Sequence, residues 1–181
     1  KTEMHASRLI CAICIILCAV EAFGASPRVP AWPERFHSVM RQNRTNRLAV
    51  VDLYYDSVTG QNLNYIHPTS PAGPSRFDNE FNNGSTYYYT SSDSCKCIDM
   101  VVGILRRNWL ENATFIGTTV IDGVECYEWA HGTAMPPHTG YFIHYYTKTT
   151  DTSVPVRWVF FDDAQFDVVS WTPGVRVPAT V

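Results

Sequence analysis

The chain has 181 residues, with 14 Lys and Arg against 17 Asp and Glu for a net charge of −3, and 45% of it is hydrophobic. That is length for one domain with a sizeable core. The basic residues are scattered, with Arg106-Arg107 the only adjacent pair; a phosphate-tracking groove needs a basic stripe, so no nucleic-acid partner is expected.

In chain order the first element is residues 4–26, MHASRLICAICIILCAVEAFGAS: a short basic start, an apolar run over 9–20, then small residues. This is the pattern of a secretory signal peptide. The run falls short of the ~20 apolar residues needed to cross a bilayer, and no later segment approaches that length, so no transmembrane protein is expected. Residues 1–25 are therefore read as upstream residues and signal peptide. Residues 26–181 form a single domain destined for secretion or the secretory-pathway lumen. Cys11, Cys14 and Cys18 leave with the signal, and Cys95, Cys97 and Cys126 remain. In an oxidising compartment Cys126 is expected to bridge to Cys95 or to Cys97, since Cys95 and Cys97 are same-face neighbours on one strand and too far apart to pair. One thiol is left over, buried and inert or bridging to another chain.

Strand-like alternation then fills residues 36–41, 47–56, 61–67, 76–81, 86–90, 95–102, 114–121, 124–130, 141–148, 156–161 and 166–171. These runs are rich in Val, Ile, Thr, Tyr, Phe and Trp, which suit a pleated, half-buried surface. Turn residues separate them at 43–46, 57–60, 82–84, 122–123 and 162–163. Asp122-Gly123 is the strongest hairpin signal, because a two-residue type I′ turn needs positive φ at both positions. Only residues 102–111 (VGILRRNWLE) resemble a helix. The expected fold is all-β and mainly antiparallel, a curved sheet or half-barrel with one short helix. Three sequons, at Asn43, Asn83 and Asn112, fall where loops are expected and are read as N-glycosylation sites.

Several segments carry a resemblance. Trp32-Pro33-x-x-Phe36-His37, VVDLYYD (50–56), FDNEFNNGSTYYY (77–89), VVGILRRNWL (101–110), IGTTVIDGVECYEW (116–129) and VRWVFFD (156–162) resemble a family of secreted, uncharacterised plant and algal proteins over about residues 32–172. More distantly, the order of a YD turn, an acidic-aromatic strand, a tyrosine strand, Cys-Lys and a strand pair carrying Cys then Trp is similar to ependymin-related proteins of the LolA-like lipoprotein-carrier superfamily. That resemblance implies a curved antiparallel half-barrel holding an acyl group on a concave apolar face. The matched cysteines imply a Cys95–Cys126 disulfide, with Cys97 the extra thiol. The chain departs from the pattern at Cys97, where a Thr or similar residue is usual, and in an inserted loop at 132–140.

A single curved sheet with a partial helix cannot close its apolar face as a sandwich does, so aromatic surface is left to line a cavity. The candidate ligand-binding residues are Tyr87, Tyr89, Trp109, Leu110, Phe142, Trp158 and Phe160. Roughly ten buried methylenes at ~0.8 kcal/mol each support micromolar binding after association costs. Ordinary core packing is the competing account of the same aromatics, since any sheet interior shows them at period two.

Catalytic signatures are weaker. The chain has no G-x-S-x-G, Gly-rich phosphate loop, H-E-x-x-H or C-x-x-C, so no metal and no cofactor is expected. Asp78 and Glu80, two apart on a strand, share a face at ~6.7 Å, near the spacing of glycosidase carboxylates; a solvated strand face is the simpler explanation of the pair. Asp52 and Asp56 flank the YD turn as caps. The function expected is a secreted glycoprotein binding a hydrophobic or amphipathic small molecule on the concave face of a curved sheet. The alternatives are a secreted carbohydrate-active enzyme using Asp78 and Glu80, and an extracellular adhesion or matrix protein. A deep apolar cavity, two facing carboxylates in a polar cleft, and a filled sheet with a flat exposed patch distinguish the three.

Overall fold

The computed structural model describes residues 26–90, 95–98 and 103–179. The segment expected to be a signal peptide lies outside the described residues. Eleven strands follow in chain order: β1 Arg35–Arg44, β2 Arg47–Asp56, β3 Gln61–Ser70, β4 Arg76–Phe81, β5 Thr86–Thr90, β6 Lys96–Ile98, β7 Thr114–Ile121, β8 Val124–Thr133, β9 Tyr141–Lys148, β10 Pro155–Phe160 and β11 Gln165–Pro173. They form one curved, unclosed antiparallel sheet in the order β6-β5-β4-β3-β2-β1-β11-β10-β9-β8-β7. Two meanders thus join at its middle, where β1 pairs with β11.

Turn chemistry sets the register. Asp122 (φ 49°) and Gly123 (φ 80°) make the expected two-residue hairpin between Ile121 and Val124. Thr45 (φ 52°) and Asn46 (φ 62°) make a second between Arg44 and Arg47. The turn after β2 is capped by Asp56, whose Oδ1 accepts from the backbone N–H of Val58 (2.9 Å) and Thr59 (3.0 Å) while Arg35 Nε donates to Oδ2 (2.8 Å). Burial alone would raise that carboxyl's pKa, but these donors hold it below the usual range. Asp52 caps nothing; it lies between His37 Nε2 (2.8 Å) and His67 Nε2 (3.3 Å).

The short helix expected over 102–111 does not form, and no helix occurs among the described residues. From Gly103 to Ala113 the chain makes separate turns, each closed three residues back: Trp109 N–H to Arg106 O (3.1 Å), Glu111 N–H to Asn108 O (2.8 Å) and Ala113 N–H to Leu110 O (2.8 Å). A helix of this length depends on tertiary packing rather than on its own propensity, and topology sets this segment another task. It connects β6 at one sheet edge to β7 at the other, crossing the inner face as it goes. Tertiary bonds pin it there. The Tyr55 hydroxyl donates to Leu105 O (2.7 Å), Trp32 N–H donates to Arg107 O (2.8 Å), and Arg107 Nε donates to Trp32 O (3.1 Å).

The core fills the space under this crossing. Phe36, Met40, Val51, Leu53, Tyr55, Trp129, Ile143, Tyr145 and Trp158 project from the strands, and Trp32 and Leu110 cap them from above. Trp32 is the hub: its ring centroid lies 5.1 Å from Phe36 and from Tyr55, 5.5 Å from Trp109 and 5.7 Å from Trp158. Edge-to-face and offset contacts of this kind add about 0.5–1.5 kcal/mol each beyond area burial.

The disulfide implied between Cys95 and Cys126 is not formed; both thiols are free, as is Cys97. Cys95 is exposed beside the edge strand β6, whereas Cys126 is buried in β8, one strand in from the opposite edge. A disulfide needs Cα atoms within about 7 Å, and the order of strands keeps these two apart. Asn43, Asn83 and Asn112 are all exposed. Asn43 stands at the end of β1 rather than in a loop.

Candidate functional site

The inner face does not fill. Three chambers open on it, and Trp158 is a wall of each. The largest, about 320 Å³, lies between the sheet and the 104–110 segment, lined by Leu105 and Trp109 from the crossing, Trp32, His131 to Thr133 of β8, Phe142 and Ile143 of β9, and Trp158 and Phe160 of β10. It reaches the lower end of the ~300–1,000 Å³ typical of small-molecule sites. A second, of about 240 Å³, is bounded by Met40, Val51, Ile66, Phe160 and Phe166, with Asn64 and Asp78 on its polar side. The third, about 100 Å³, lies between Trp32, Tyr55 and Leu105 and the polar pair Asn62 and Glu80.

Register explains why the carboxylates face inward. Tyr55 stands opposite Asn62, which stands opposite Glu80; Leu53 stands opposite Asn64, which stands opposite Asp78. Cross-strand partners share a face, so Asp78 and Glu80 continue the inner rows of Tyr55 and Leu53. Asn62 Nδ2 donates to Glu80 Oε2 (2.8 Å). Burial, then the neighbouring Asp78 charge, push the Glu80 carboxyl up to about 7 despite that bond, and burial raises Asp78 as well.

Among the described residues, four buried side-chain polar atoms have no hydrogen-bond partner: Asp78 Oδ1, Trp109 Nε1, His131 Nδ1 and Trp158 Nε1. All four residues line these chambers. The Trp158 N–H lies near the Tyr145 hydroxyl but outside hydrogen-bond geometry, that hydroxyl already accepting from Trp32 Nε1 at 2.9 Å.

Of the residues expected at the site, Trp109, Phe142, Trp158 and Phe160 line the large chamber. Leu110 does not; it is 1% exposed and belongs to the core beneath. Tyr87 and Tyr89 lie on the outer face. Tyr87 stands opposite Asn79 and Tyr89 opposite Phe77, with Tyr89 stacked on Phe77 (4.9 Å) and Phe77 on Tyr65 (4.2 Å). Tyr88, the residue between them, is the inward one, opposite Asp78. On β9 the inward set is Ile143, Tyr145 and Thr147, whereas His144 meets Glu128 on the other face, Nδ1 to Oε1 2.7 Å. Trp32, Leu105, His131 and Ile143 escaped the sequence reading as wall residues. Trp32 carried a signal, standing in the Trp-Pro motif just before β1.

These features define a class of protein, a single curved antiparallel sheet with a partly open pocket on its inner face. The chain belongs to the family described as "Domain of unknown function (DUF8395)", which matches residues 31–180. No curated protein matches the chain. Among solved structures it is similar to an uncharacterized conserved protein from Thermus thermophilus, at 12% identity and a TM-score of 0.56, over 81% of this chain and 82% of that one. That likeness concerns the fold alone. A LolA superfamily protein from Nitrosomonas europaea also aligns, at 10% identity and a TM-score of 0.39, over 83% of this chain and 90% of that one. Among the described residues no helix is long and apolar enough to cross a membrane.

Proposed function

We propose that this protein is a secreted glycoprotein of the ependymin or lipoprotein-carrier type that binds one amphipathic small molecule on the inner face of its sheet. The observation carrying this reading is that every unpartnered buried polar side-chain atom among the described residues belongs to a residue of one connected set of chamber walls. Leaving such an atom unpaired costs about 1–3 kcal/mol. Polar groups gathered around apolar voids in this way suit a ligand with apolar and polar parts. The walls match such a ligand: Trp, Phe, Leu and Ile around the large chamber, and amides and carboxylates beyond Trp158.

Glu80, with its raised pKa, also favours the enzyme reading, as general acid beside Asp78. We favour the binder on the shape of the space around the carboxylates. The chamber touching Glu80 holds about 100 Å³, below the ~300 Å³ at which small-molecule sites begin, and the two carboxylates project from one strand rather than across a cleft. The adhesion reading requires a filled inner face, and this one is not filled.

Native mass spectrometry of the secreted full chain tests the proposal. A bound small molecule of constant mass, released on unfolding and recovered by organic extraction, is the expected result. A chain that flies as bare protein and takes up no alkyl compound when titrated contradicts it.

A further inference from the structure

We propose that the ligand carries a hydroxyl group, held between the indole N–H of Trp109 and the Nδ1 of His131 in the large chamber; this rests on the binder reading above and names the chemistry of its ligand. Trp109 comes from the crossing over the sheet and His131 from β8 of the sheet itself, and their rings meet edge to face at 5.8 Å. Both polar atoms are buried and without a partner. The other indoles of the chamber are placed differently: Trp32 Nε1 donates to the Tyr145 hydroxyl at 2.9 Å, and the Trp158 N–H lies beside that same hydroxyl.

Each of the two atoms restricts what a ligand brings. An indole N–H only donates, so it needs an acceptor, which neither an alkyl chain nor an ammonium offers. A neutral imidazole nitrogen donates or accepts according to its tautomer, and a hydroxyl answers either form while its oxygen accepts from Trp109. A carbonyl answers only one. Charge removes the remaining competitor. Of the ten residues lining the chamber none is Lys, Arg, Asp or Glu, and His131 is the one side chain among them that titrates near neutral pH. A carboxylate placed there loses its water with no fixed cation opposite it, whereas an alcohol brings the oxygen without the charge. Leu105, Phe142, Ile143 and Phe160 are the apolar walls left for its alkyl part.

The test is displacement of the neutral dye 1-(N-phenyl)naphthylamine from the full-length secreted protein at pH 8 by hexanol, 1-chlorohexane, hexanoate and hexylamine, which share a chain and differ in head group. Hydrophobic transfer alone ranks the chloride ahead of the alcohol, so the expected result, hexanol displacing the dye at least as well as the chloride and better than either ion, requires a polar contact. His131→Leu and Trp109→Phe, which each remove one of the two polar atoms, should weaken hexanol by about fivefold or more and leave 1-chlorohexane nearly unchanged. Where a variant loses the chloride as well, its pocket is no longer intact and the order of the four compounds on the wild type decides. A chloride that outbinds the alcohol, a hexanol affinity that neither substitution lowers, or hexanoate binding ahead of hexanol overturns the assignment while leaving the binder reading intact. Failure of the dye and all four compounds to bind removes both.

Discussion

The indole N–H of Trp32 donates to the hydroxyl of Tyr145 at 2.9 Å, a buried bond spanning 113 residues of sequence. It ties the segment before β1 to the centre of β9 and so closes the roof over the pocket. Burial pushes the Tyr145 pKa up, so the hydroxyl stays a neutral acceptor. Tyr145→Phe leaves the Trp32 N–H buried and unpaired and should cost about 1–3 kcal/mol. Trp32→Phe should cost at least as much through lost packing, and the double substitution less than the sum, because the two side chains share one interaction. Urea unfolding of the four proteins checks this, and strict additivity contradicts it.

Glu80 gives the protein a pH dependence of definite sign. In the folded chain its proton is held to about pH 7, against an ordinary value of 4.5. Between those values the folded state binds more protons than the unfolded, so stability falls as pH rises through that window and the full penalty stands above it. Glu80→Gln should therefore stabilise the ligand-free protein at pH 8 by on the order of 2–3 kcal/mol and change little at pH 4. Denaturant midpoints across pH 4–8 measure it. A variant no more stable than the wild type at pH 8 places Glu80 in water rather than in the pocket.

The three cysteines should separate by accessibility. Cys95 and Cys97 are exposed and Cys126 is 0% exposed, with its Sγ directed at Val124 O (3.3 Å). Brief treatment of the native protein with iodoacetamide should label Cys95 and Cys97 and spare Cys126 until denaturant is added. A peptide map that recovers Cys126 bridged to Cys95 contradicts this arrangement.

Exposure also bears on the sequons. With Asn43, Asn83 and Asn112 all on the surface, the protein recovered from a eukaryotic secretory host should carry glycan at each. Each Asn→Gln variant then loses one glycan's mass on intact-mass analysis, with no change in unfolding midpoint. An unmodified mass for the secreted chain refutes the glycoprotein assignment.

The strands were legible because β-branched and aromatic alternation is local, and so was the Asp122-Gly123 hairpin, whose positive φ is a property of two residues. The faces were harder to read. On β3, Leu63 and Tyr65 alternate with Asn62 and Asn64, and on β4, Phe77 alternates with Asp78 and Glu80; hydrophobicity alone puts the apolar set inside. The sheet does the reverse, laying Tyr65, Phe77 and Tyr89 in a stacked row on the outer face and turning the polar set toward Trp158. Pattern specifies two faces and not which is concave, so alternation by itself does not tell that Tyr88 turns inward and Tyr87 and Tyr89 outward. The 102–111 segment misled for a related reason. Its apolar residues answer to a crossing from one sheet edge to the other, a constraint set by strand order and invisible in a ten-residue window.

The central claim, that the large chamber is a binding site, is tested most directly by filling its mouth. Leu105 lines that chamber and is 49% exposed. Its carbonyl, not its side chain, takes the bond from Tyr55, so Leu105→Trp narrows the entrance without disturbing the core. Fluorescence titration with 1-(N-phenyl)naphthylamine should show saturable one-site binding to the wild type and at least tenfold weaker binding to Leu105→Trp at an unchanged unfolding midpoint. Non-saturable dye uptake by the wild type, or equal affinity for both proteins, contradicts the account.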